Sequence, residues 1–213
     1  MTSREIPAGI KHLDLDVLSE DAAIQLLKSL IGSTRVENEL EIAEELCQWL
    51  GYLPLGLELV GRYIALDQTL SIEKAFKRLK KKKLAARSLD DPKQRGITAQ
   101  KGVKAALDLS WSVLSPEAQE LGCYLSLFNS EPFKWSWVES AWIESSDEDE
   151  RDDEIEDLEE LRNLELTQRS LIKVLPDSQA YQLHSLIAQY FRAKLEERTK
   201  ATELKQKFCG VMN

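Results

Sequence analysis

The sequence predicts a mainly α fold carrying one β-hairpin, and three observations predict it. Apolar residues recur at three- and four-residue spacing through most of the 213 residues. Ser, or Ser followed by Pro, stands where helices should open, and Gly stands where they should close. Residues 171–184 read as strand instead: two short apolar runs flank Pro176-Asp177-Ser178, the signature of a hairpin. An apolar content of 43% is enough for one large core or two small ones.

The first half reads as four short helices. Residues 1–18 are expected to be extended or irregular, with His12-Leu13-Asp14-Leu15-Asp16 alternating as a short strand or docking loop would. Ser19 is a good N-cap, and Glu20 and Asp21 suit the positive end of a helix dipole. Ala23, Leu26, Leu27, Leu30 and Ile31 then follow helical spacing until Gly32 stops the helix. A second helix is expected over 37–50, with Ile42, Leu46 and Leu50 stacked and Gly51 ending it. Pro54 suits the first position of a third helix over 54–66, where its missing N–H costs nothing. Gly56 and Gly61 inside it each cost about 1 kcal/mol of helix propensity. Close approach to a neighbouring helix or a ligand would offset that cost. Ser71 caps a fourth helix with Ile72, Ala75, Phe76 and Leu79 inward, running into Lys80-Lys81-Lys82-Lys83. Asp90-Asp91-Pro92 and Gly96 mark residues 87–100 as a linker between a helical bundle, 1–86, and a second domain, 101–200.

That second domain is expected to open with a helix over 101–114. Ser115-Pro116-Glu117 starts another, with Ala118, Leu121, Tyr124, Leu125 and Phe128 on its apolar face. Trp135, Trp137 and Trp142 fall in a further helical segment. The acidic stretch 144–154 is expected to be a loop, followed by a helix over 155–169 with Leu158, Leu161 and Leu164 inward. The hairpin comes next, with strands at 171–175 and 181–184, and then an amphipathic helix over 185–198. Helices followed by a hairpin and another helix describe a winged-helix-like domain. Residues 201–213 read as the start of a further helix that ends without a natural cap, as expected of a piece of a longer protein.

Composition narrows the function. No apolar run is long enough for a bilayer and no basic-then-apolar leader opens the chain, so a cytoplasmic protein is expected. Cys47, Cys123 and Cys209 are far apart and odd in number, which fits reduced thiols, two of them in helix cores. With only His12 and His184 besides, a zinc site lacks ligands. Charge is segregated. Residues 74–104 hold twelve basic side chains against Asp90 and Asp91, and residues 144–160 hold twelve acidic ones against Arg151. Such blocks are solvated surface, or they dock against each other or against partners.

Few residues carry recognisable chemistry. Gly51 to Gly56 has the frame of a phosphate loop, but Leu57-Glu58 follow where Lys and a hydroxyl residue are required, and the interior is apolar. His184 stands where a strand meets a helix N-terminus, a place that favours anions, although the spacing alone favours a His that caps local backbone there. Ser185 beside it forms no catalytic couple, because no orienting acid is identifiable. Wing residues 175–178 carry no basic side chain and the helix before them is rich in Glu, which speaks against nucleic acid.

Taken together, these residues resemble the C-terminal part of the nucleotide-binding module of NB-ARC (STAND, or AP-ATPase) proteins. Gly51-Tyr52-Leu53-Pro54-Leu55 resembles that family's Gly-Leu-Pro-Leu motif, and Leu183-His184-Ser185 falls at its Met-His-Asp motif. Thr2-Ser3-Arg4-Glu5 resembles the end of its sensor strand. Leu18-Ser19-Glu20-Asp21 resembles the opening of its helical (ARC) subdomain, and Ala106 to Leu114 the opening of its winged-helix subdomain. The resemblance implies a regulatory nucleotide switch in which Pro54 packs on the adenine of ADP, His184 contacts the β-phosphate of the inactive state and Arg4 senses the γ-phosphate of ATP. It implies no catalytic residue and no metal ligand here, since the phosphate loop and the acidic Mg²⁺ strand belong to an upstream core. That core would be one partner, and a downstream repeat or effector domain another. This chain alone should then neither hydrolyse nucleotide nor hold it tightly. Ser185 replaces the motif's Asp. A protein–protein interaction module and a winged-helix DNA-binding regulator are the alternatives.

Overall fold

Ser19 starts the first helix, α1 (Glu20–Ile31), by accepting a hydrogen bond from the Ala22 N–H at 3.2 Å. This is the first element of a computed structural model that describes residues 17–87, 98–199 and 201–212. Gly32, at φ +93°, ends α1 as expected and leads into a short helix, α2 (Ser33–Asn38). The next helix, α3 (Leu40–Trp49), begins later than the sequence suggested. Glu39 breaks the expected helix over 37–50 because its carboxylate is used elsewhere: it accepts the N–H groups of Ile72 and Glu73 at 3.0 and 2.9 Å. That caps α5 (Ile72–Arg87), whose Lys74 N–H is taken by Ser71 Oγ.

Between them lies α4 (Pro54–Ala65), entered through a turn that the sequence dictates closely. The N–H of Gly51 bonds to Gln48 O and that of Tyr52 to Cys47 O, which is the Schellman pattern. Gly51 (φ +67°) and Tyr52 (φ +55°) are both left-handed. Tyr52 is held in this unusual backbone by its carbonyl, which accepts from Leu18 N–H, and by its hydroxyl, which donates to Glu20. α4 is buried along most of its length and packs on α1 and on α6 (Thr98–Trp111). The glycines make this possible: a Cβ on Gly61 would stand 2.5 Å from Leu30 Cδ1, and one on Gly56 would stand 3.3 Å from Leu50 and Val103. Leu27, Leu46, Leu50, Leu57, Leu59, Ile64, Ile72 and Leu79 close the core of this half.

In the second half α7 (Pro116–Leu125) begins at Ser115, whose Oγ accepts the Ala118 N–H, and ends in a 3₁₀ turn at Ser126–Phe128. A two-residue strand, β1 (Phe133–Lys134), precedes α8 (Trp135–Trp142). α9 (Glu148–Glu160) follows, and it corrects the expected acidic loop: most of that stretch is helix. Asp147 accepts the N–H groups of Asp149 and Glu150, and Glu148, Asp149 and Glu150 occupy the first turn, where a helix favours negative charge. α9 then widens into a π-helical stretch, Leu161–Thr167. The wider turn moves the apolar stripe, so Leu158 and Leu166 are buried while Leu164, expected inward, is 50% exposed. The hairpin is shorter than expected, β2 (Lys173–Leu175) and β3 (Ala180–Gln182). β1 adds to it in the antiparallel order β1-β3-β2, with Phe133 opposite Tyr181. α10 (Ser185–Glu196) and α11 (Ala201–Met212) complete the described chain. The result is a mainly α molecule with a small sheet, in the order expected of a winged-helix-like unit.

The two halves meet along α6. Its body packs on α4 and α5, and its C-terminal turn reaches α10. There Tyr190 donates to Asp108 at 2.7 Å, and Trp111 lies against the rings of Tyr190 and Phe191. Cys47 and Cys123 are buried, and desolvation pushes their thiols up to about 12 and about 11, whereas Cys209 is exposed on α11. Among the described residues no helix is long and apolar enough to cross a membrane.

Candidate functional site

A cavity of about 690 Å³ opens where α4 faces the hairpin and the start of α10. From α4 come Leu55 and Glu58, one and four residues after Pro54, the proline that sets the helix start. From the π-helical end of α9 and the turn after it come Thr167, Ser170 and Leu171. β2 supplies Lys173 and Val174, and the β3–α10 junction supplies Gln182, Leu183, His184 and Ser185.

His184 is positioned by α10 itself. Its backbone is extended and its ring Nδ1 accepts the Leu186 N–H at 3.2 Å, so the imidazole serves as the N-cap. A ring nitrogen that accepts must be unprotonated, and this leaves Nε2 carrying the hydrogen. The ring keeps an exposed edge, yet partial desolvation holds its pKa below the usual 6.5, with the charge of Glu58 pulling the other way. The capping role weighed from the sequence is thus carried by Nδ1.

Glu58 closes the opposite wall. Its Oε1 accepts the Ser170 hydroxyl at 2.9 Å, a bond from the first half of the chain to the second. Ser170 is left-handed, at φ +57°, and is fixed there by its own N–H to Thr167 O and by the next N–H, of Leu171, to Leu166 O. Thr167 Oγ1 is buried with no hydrogen-bond partner. The cavity therefore offers a carboxylate, an ammonium, a neutral imidazole and several hydroxyls above an apolar floor of Leu55, Leu171 and Ile187.

Of the residues singled out in the sequence, His184 lines this cavity. Pro54 does not line it, but it begins the helix that does. Arg4 lies outside the described residues. The sequence reading missed Glu58, Ser170, Thr167 and Lys173. Only Glu58 left a signal: it follows Pro54 by four residues and so shares its helix face. Among the described residues no cluster of three or more His, Cys, Asp or Glu is placed to hold a metal. On α9 the solvent side is acidic, with Glu148, Asp149, Asp152, Asp153, Glu156 and Asp157 exposed.

No family model matches the chain. It is similar to the "Regulatory protein AfsR" of Streptomyces griseus, 30% identical over 109 residues, and to that of Streptomyces coelicolor, 27% identical over 112 residues. Each match covers 51% of this chain but only 10% of the relative, so the chain spans a small part of the proteins it matches. Across half its length, then, this chain is similar to regulatory proteins.

Proposed function

We propose that this chain is the regulatory arm of a nucleotide-dependent switch, contributing one wall of an ADP site and keeping the full protein inactive while ADP is bound. One observation carries the reading: the helix that Pro54 begins and the His184 junction, remote in sequence, line the same cavity. The resemblance of Gly51–Leu55 and of Leu183-His184-Ser185 to paired nucleotide motifs supports it, as does the similarity to regulatory proteins. In this reading Pro54 stands at the adenine end, and the N–H-bearing edge of His184 together with the α10 N-terminus stands at the phosphate end. The sequence contains no Gly-Lys-Ser or Gly-Lys-Thr loop, so a separate phosphate-gripping core has to complete the site, and the arm by itself is not an enzyme. Arg4 would sense the additional phosphate of ATP, and exchange of ADP for ATP would release the winged-helix-like half. A cytoplasmic setting belongs to the same reading.

Calorimetry tests it in two arms. The chain alone should bind ADP weakly or not at all, and micromolar binding would overturn the division of labour. In the protein that includes the core, His184→Ala should speed ADP release at least several-fold. Unchanged release would remove His184 from the site. The acidic solvent face of α9 favours a second reading, a protein-docking module, which predicts partner capture that weakens steeply with salt.

A further inference from the structure

Every lining residue of the cavity that carries charge has a different job. Lys173 is the one fixed cation among the described lining residues and Glu58 the one carboxylate, while His184 accepts at Nδ1 to cap α10 and partial desolvation favours its neutral form. A site for the phosphates of a nucleotide would be expected to be frankly cationic. This one is balanced by Glu58, whose field reaches the His184 ring. Any phosphate that approaches the exposed edge of that ring enters the same field. Glu58 also joins α4 to the facing wall of the cavity through its bond to Ser170.

We propose that Glu58 is a charge gate on this cavity: its carboxylate opposes phosphate groups beside His184 while its hydrogen bond to Ser170 holds the two walls together. The proposal rests on the nucleotide reading above. It assigns Glu58 a role that neither the phosphate-loop frame nor the Pro54–His184 pairing requires. The physical content is that charge and hydrogen bonding at Glu58 are separable. Glu58→Gln keeps an acceptor for the Ser170 hydroxyl and removes the charge. Ser170→Ala removes the bond and keeps the charge. A phosphate that binds meets the Glu58 charge as well as the Lys173 ammonium.

The test titrates the whole chain with inorganic pyrophosphate, and separately with ADP, following the His184 ring resonances by NMR. Glu58→Gln should bind pyrophosphate about tenfold more tightly than the unsubstituted chain, the effect of one unit charge several ångströms away at an intermediate dielectric. Ser170→Ala should not show that gain. Matching thermal melts for Glu58→Gln and the unsubstituted chain would confirm that its fold is intact. Equal affinity in the two, including no binding by either, overturns the gate. The two levels separate when the phosphate-gripping core is supplied. ADP binding that is sensitive to His184→Ala but indifferent to Glu58→Gln sinks the gate alone. No ADP binding in any form sinks the nucleotide reading with it.

Discussion

His184 places two demands on one ring. Nδ1 must stay unprotonated to accept the Leu186 N–H, while the same residue lines the cavity. The linkage sign follows from the depressed pKa. Because the folded ring resists protonation, its contribution to stability is fully present above the unfolded value of about 6.5 and is lost as pH falls through the lower folded value. Denaturant melts between pH 8 and pH 5 should therefore show stability declining below about pH 6.5. His184→Ala should remove that component and cost roughly 0.5–1 kcal/mol at pH 8, the worth of a helix cap. NMR titration of the two histidines would assign the transition, since His12 is the other one in the chain. At this scale the sequence was partly legible. His184 drew attention through its place at a strand–helix junction. Ser170 and Thr167 did not, because their roles come from a left-handed turn and a widened helix that no local pattern announces.

Helix starts were the most legible elements, because capping is local chemistry. Ser19, Pro54, Ser71 and Ser115 each open a helix where the sequence indicated. The misread elements are those decided by distant or competing interactions. Glu39 leaves the helical path to cap α5, so the helix expected over 37–50 starts only at Leu40 and is preceded by α2, which was not expected. The acidic stretch became helical although Asp149 and Asp153, or Asp152 and Glu156, repel at four-residue spacing. Asp147 at the cap, the dipole and the buried Leu158 outweigh repulsions of a few tenths of a kcal/mol each. A sharper element-scale prediction concerns α7. A Cβ on Gly122 would lie 3.0–3.3 Å from three ring atoms of Phe191, which is 1% exposed and hemmed in by Trp111 and Tyr190. Gly122→Ala should therefore destabilise by about 1–3 kcal/mol in urea unfolding, despite the helix propensity that Ala adds. A stabilised variant would mean that α7 and α10 can slide apart at no cost.

Across the molecule as a whole, α6 is the member through which the two halves act on each other. Its C-terminal turn carries Asp108 and Trp111 to α10, and Asp108 accepts the largely buried Tyr190 hydroxyl, which desolvation and this neighbouring carboxylate hold strongly protonated. Tyr190→Phe would strip a carboxylate of its donor and should cost about 1.5–3 kcal/mol. Because that bond ties α6 to α10, amide exchange in α10 should accelerate more than exchange in α1 or α3, and uniform acceleration would deny that tie. Most of the order of elements was readable from local pattern, but the meeting of α4 with the His184 junction was legible only through the family resemblance, since juxtaposition across a chain is a property of packing.

The uneven burial of the three thiols equips this molecule for distance measurements without redesign. At pH 7 a maleimide dye reacts with thiolate, which Cys47 and Cys123 scarcely form and do not expose, so labelling should be confined to Cys209. A fluorophore placed there reports from α11, which packs on α7 and α8 of the winged-helix-like half. One acceptor engineered on α1 would then turn any swing between the halves into a change in energy transfer.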